Sequence, residues 1–83
     1  MYTKHARARM QQRGLSPFVV DLLLLYGNEE HDGHGGIRHF FTKRSRKQLR
    51  RDVGGQIYKH LRHYLNAYAA ECDGQIVTVG WRH

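Results

Sequence analysis

Residues 67–81, AYAAECDGQIVTVGW, hold two β-rich runs around Asp73-Gly74, and their reading decides the fold. Asp-Gly between apolar strands is the signature of a type I′ turn, in which both central residues take positive φ. The runs therefore predict an antiparallel hairpin of 67–72 with 75–81. Ile76 and Val77 both read as buried, which predicts a central strand covered by helices on one face.

Upstream the period changes. Ile57, Leu61, Tyr64, Leu65 and Tyr68 recur at i, i+4, i+7, i+8 and i+11, the stripe of an amphipathic helix running from Gln56 to Asn66. Gly54-Gly55 separates this helix from KRSRKQLRRD, a helical but overwhelmingly basic stretch with Leu49 and Val53 as its apolar residues. IRHFFT is β-rich and offers Ile37 and Phe40 or Phe41 to a core, while 28–31 is a short partner strand across a glycine loop. Thr3 caps a first helix to about Arg13, and Gly14 suits the left-handed position beyond it. Ser16-Pro17 opens a second, mostly buried helix that ends at Gly27. The order is helix, helix, strand pair, helix, helix, strand pair. This is an α+β domain: an N-terminal helical hairpin and further helices packed on a small antiparallel sheet. At 83 residues the chain reads as a single domain, 1–83, with one thin core.

Fourteen Lys and Arg stand against seven acids, for a net charge of +7. A surplus of this size points to a polyanionic partner, nucleic acid first. Lys43, Arg44, Arg46, Lys47, Arg50 and Arg51 crowd one short helix, dense enough to meet several phosphates without reading sequence. Trp81, beside Arg82, is the candidate for stacking on bases, whereas Tyr64 and Tyr68 fall in the apolar stripe and are assigned to the core. HARARMQQRG, residues 5–14, sets His5, Arg9 and Arg13 in one row, with Ala6 and Met10 as the apolar row beside it. The row is either a solvated face whose arginine stems cover apolar surface, or a phosphate site. In the second case an imidazole among guanidiniums would serve acid–base cleavage of a phosphodiester.

The lone Cys72 excludes an intramolecular disulfide and reads as a packed or edge thiol. His31, His34, His39, His60 and His63 match no zinc spacing, so no metal or other cofactor is expected. FVVDLLLLY is broken by Asp21 and too short to span a bilayer, and no signal-peptide pattern opens the chain. A cytoplasmic protein without a membrane partner is expected.

KHARARMQQRGL, SPFVVDLLLLYG and GQIVTVGWR together resemble the small bacterial proteins grouped as domain of unknown function 4258. Those proteins open with a His-Ala step, an arginine paired with methionine or an aliphatic residue, and Arg-Gly. They end in a strand with a Val-Thr step and a basic residue. The matching positions are His5-Ala6, Arg9-Met10, Arg13-Gly14, Val77-Thr78 and Arg82. The resemblance covers most of the chain, although the basic helices from Lys43 to Tyr64 suit only a subset of the family. It implies a fold similar to toxins of the RelE and BrnT type, which are metal-independent ribonucleases. It also implies that His5, Arg9, Arg13 and Arg82 meet at one face of the sheet as the catalytic group. The expected function is a small basic nucleic-acid-binding protein, a toxin-like metal-independent RNA endonuclease or a relative of one, with RNA or single-stranded nucleic acid as partner. The alternatives are a non-catalytic nucleic-acid-binding protein, or an interaction module for an acidic antitoxin-like partner.

Overall fold

Thr3 begins the first helix by accepting a hydrogen bond from the Ala6 backbone N–H at 3.1 Å, and Gly14 ends it at φ 67°. The computed structural model describes residues 1–82 and places α1 at Lys4–Arg13 and α2 at Pro17–Tyr26. β1 (Asn28–His31) and β2 (Gly36–Phe40) follow, then α3 (Lys43–Val53), α4 (Gly55–Leu61) and a 3₁₀ turn at Arg62–Tyr64. The chain closes with β3 (Ala67–Cys72) and β4 (Gln75–Trp81). Thr42 and Ser45 form a reciprocal capping box that starts α3. Asp73 at φ 51° and Gly74 at φ 79° make the tight turn that joins β3 to β4.

The four strands form one antiparallel sheet in the order β1-β2-β3-β4. β4 is thus an edge strand rather than the central one expected. Its backbone still finds partners, because Thr3 N–H donates to the Ile76 carbonyl at 3.0 Å and Ile76 N–H donates to Met1 O at 2.7 Å. The helical cover is also shared: α1 packs along β4, while α2 lies on β3 and β2. Ala6 and Met10 of α1 and Val19, Val20, Leu22 and Leu23 of α2 are all buried against this core.

The long helix expected from Gln56 is cut short. α4 stops at Leu61, the chain tightens to a 3₁₀ turn, and Tyr68 belongs to β3. A turn of three residues breaks the 3.6-residue period, so the stripe dissolves: Leu61 and Leu65 are buried, Tyr64 is half-buried, and Ile57 is 55 % exposed. Of the two phenylalanines Phe41 enters the core, at 5 % exposure, and Phe40 turns to the other face. Among the described residues no helix is long and apolar enough to cross a membrane.

Leu49 is the one large apolar residue of α3 that is fully enclosed, at 0 % exposure. It seats the most cationic element of the protein. Leu49→Ala should cost about 2–5 kcal/mol, read as a lowered urea midpoint; a loss below about 1 kcal/mol would show that other contacts hold α3.

Candidate nucleic-acid interface

Successive strand residues point to opposite faces, so burying one set commits the other. His39, Ala69 and Val79 are cross-strand partners on β2, β3 and β4, and all three are buried beneath the helices. Their neighbours Phe40, Tyr68 and Gly80 are likewise partners across the same three strands, on the face that no helix covers. Gly80 allows a close approach there: a Cβ on it would lie 2.9 Å from Cε1 of Tyr68, which would have to shift. The Tyr68 ring therefore rests on the backbone of β4. Arg38 sets its guanidinium 5.4 Å from the centre of the Tyr68 ring, and Arg82 lies 4.0 Å from that of Phe40.

Arg9 and Arg13 of α1 wall a cleft of about 380 Å³ whose other lining includes Tyr68, Thr78 and Gly80. Among the described residues no carboxylate lines it. His5 stays outside the lining and is exposed, but it touches the cleft indirectly: Arg9 Nε–H donates to His5 Nε2 at 3.4 Å. Arg82 shares the open face yet lines a second cleft, of about 460 Å³, with Phe41, Arg46, Leu65 and Asn66. Of the four residues implied to act together, Arg9 and Arg13 meet, His5 adjoins them through Arg9, and Arg82 stands across Tyr68 and Phe40.

Lys43, Arg44, Lys47, Arg50 and Arg51 are exposed on α3. Arg46 is half-buried, and one of its terminal nitrogens donates to the Leu65 carbonyl at 3.0 Å and to Asn66 Oδ1 at 3.1 Å. Trp81 also lines the cleft of Arg9 and Arg13, and it is held in place by packing. Its indole N–H donates to the Arg13 carbonyl at 3.1 Å, and its ring stacks on Tyr64 with centroids 6.3 Å apart. It fastens the end of α1 to β4.

Among the described residues no lysine or arginine comes within 4.0 Å of a carboxylate; the ion pairs are His31–Glu29 at 3.1 Å and His39–Glu71 at 2.7 Å. Asp52 accepts instead from the Tyr26 hydroxyl and the Gln48 amide. Glu30 is the cross-strand partner of Arg38 and Glu29 that of His39, whereas Asp32, Glu71 and Asp73 lie at the turn end of the sheet, away from Phe40, Gly80 and Arg82. Cys72 lies at that acidic end, where the Asp73 carboxylate, then burial, push its thiol up from its ordinary pKa. This is the opposite of thiolate activation.

Arg38, Phe40 and Tyr68 escape a reading based on helical period. The signal that finds them is alternation: Arg38 and Phe40 are i, i+2 on β2, and Thr78, Gly80 and Arg82 repeat the step along β4 and just beyond it. No protein-family model, curated protein or solved structure matches this chain.

Gly80→Ala tests the ring-on-backbone contact. The added methyl should displace Tyr68 and shift the NMR signals of the Arg38 side chain while the hairpin amide pattern persists. Unchanged Arg38 signals would mean that Tyr68 does not lie on Gly80.

Proposed function

We propose that the protein binds single-stranded RNA across the uncovered face of its sheet. One observation carries the reading: Arg9, Arg13, Arg38 and Arg82 surround the rings of Tyr68 and Phe40, and none of them has a carboxylate partner among the described residues. Unpaired guanidiniums attract phosphates, and an aromatic ring offers a stacking surface to any base that is not already paired. Duplex bases present no such faces, so the site favours single strands. The exposed cations of α3 add sequence-independent attraction.

A second reading, a toxin-like endonuclease that cleaves RNA without metal, is favoured by the bond between Arg9 and His5. The lone pair on His5 Nε2 is held by Arg9. A phosphate that draws Arg9 into the cleft would release it. His5 would then take the proton of a ribose 2′-OH as that oxygen attacks the adjacent phosphorus. The bond from phosphorus to the 5′-oxygen breaks, and the leaving oxygen takes up a proton. The products are a 2′,3′-cyclic phosphate and a 5′-hydroxyl, with Arg9 and Arg13 stabilising the added negative charge of the transition state.

Anisotropy titrations with labelled single-stranded RNA over a range of salt test the binding. The log–log slope should correspond to several neutralised phosphates at about 0.7 each. Tyr68→Ala and Phe40→Ala should each weaken binding by about 1–3 kcal/mol. Equal affinity for duplex and single strand, with no effect of either substitution, would overturn the assignment of the face.

Cleavage is tested separately, on a mixed RNA pool in chelator. His5→Ala should slow it by about 10²–10⁴ while leaving the protein folded. Binding without wild-type cleavage would reduce the site to a binding surface, and equal rates for the two proteins would locate the chemistry elsewhere.

A further inference from the structure

We infer that the cleft between Arg46 and Arg82 is a second phosphate site, which makes the RNA path run from α1 across the sheet to the start of α3. The inference rests on the proposed binding face and adds where the strand leaves it. Arg82 stacks one side of its guanidinium on Phe40, which leaves the edge N–H groups for a ligand. The Arg82 backbone N–H also donates to the Asn66 carbonyl at 2.6 Å, which fixes the side chain's root against the loop that carries Leu65 and Asn66.

Arg46 approaches the same loop from α3. It is anchored through one terminal nitrogen to two neutral oxygens, and its Nε–H is buried with no acceptor among the described residues. Neutral acceptors compensate a guanidinium less than a carboxylate does. Two under-compensated arginines thus line one cleft with Asn66, and no acid among the described residues lines it. Bringing two cations to one small cleft is unfavourable without an anion between them, and planar guanidiniums match the oxygens of a phosphate. The dipole of α3 is not the cause, since Thr42 and Ser45 already cap its first turn.

The two clefts are separated by the rings they serve. Arg9 and Arg13 reach Tyr68 from the β4 edge, Phe40 is the cross-strand partner of Tyr68, and Arg82 covers Phe40. A single strand with one phosphate at Arg9 and Arg13 would lay its next bases toward Phe40. A later phosphate would then arrive at Arg46 and Arg82. A dinucleotide is too short to occupy both sites.

The test uses a labelled uridine dinucleotide and a uridine hexanucleotide on the full chain. Arg46→Gln should leave the dinucleotide affinity as it is, weaken the hexanucleotide several-fold, and lower the hexanucleotide salt slope by about 0.7. Because Arg46 also braces Leu65 and Asn66, a second variant avoids removing it. Asn66→Asp puts a carboxylate between the two arginines, keeps the bond to Arg46, and should weaken the hexanucleotide alone. Wild-type hexanucleotide affinity and slope in both variants would overturn the second site while the binding face stood. Failure of the wild-type protein to bind the hexanucleotide would overturn the face and the second site together.

Discussion

The row His39, Ala69 and Val79 must be buried, and the rest of the molecule follows from that. These residues pair across three strands and none is more than 3 % exposed. Ala69 contributes almost no bulk, so α2 can sit close to β3, and Val79 gives α1 its seat on the edge strand. Strand geometry then leaves no choice for the residues between them. Phe40, Tyr68 and Gly80 must face the other way. A one-residue slip of β3 would exchange Ala69 for Tyr68 in the core and carry the candidate site with it.

Much of this was legible because short-range rules acted without competition. Thr3, Gly14, Ser16-Pro17 and Asp73-Gly74 are local devices, and each marks a boundary where the structure has one. One misreading comes from the junction between α4 and β3. Tyr64, Leu65 and Tyr68 fit a helical period by spacing, but that spacing spans a 3₁₀ turn and the start of a strand. Periodicity cannot tell a residue that continues a helix from one that begins a strand with the same parity. Tyr68 was thereby assigned to the core, and the open face lost its central ring. Trp81 has a tertiary contact that the sequence does not announce. Beside Arg82 it reads as an exposed stacking residue, but Arg13 offers its indole a carbonyl that only the folded chain brings within reach.

The acids show why so much positive charge remains available. His31 engages Glu29 and His39 engages Glu71, while Asp32 accepts from the backbone N–H groups of His34 and Gly36. These backbone bonds hold the Asp32 carboxyl below its ordinary pKa. These three carboxylates are therefore committed to histidines and to a turn, and Asp52 to Tyr26 and Gln48, not to arginines. With Asp32, Glu71 and Asp73 at the turn end of the sheet and Arg13 and Arg82 at the other, the field along the sheet has a direction. It favours approach of a polyanion at the end of the sheet where Arg13 and Arg82 lie.

Uncompensated charge also bears on stability. Fourteen cations against seven acids repel one another in the folded state more than in the extended chain, so compactness is opposed by the same residues that make the surface attractive to phosphate. A bound anion acts on both sides of this balance. It screens the repulsion directly, and because it finds Arg9 and Arg13 beside Tyr68 only when α1 is seated on β4, it binds the folded state selectively. Such a ligand stabilises in proportion to the logarithm of its concentration over its dissociation constant. The groups argued to hold RNA sit on α1, β2, β3 and α3 and just past the end of β4. Ligand binding and the packing of both helices onto the sheet are thus one coupled equilibrium.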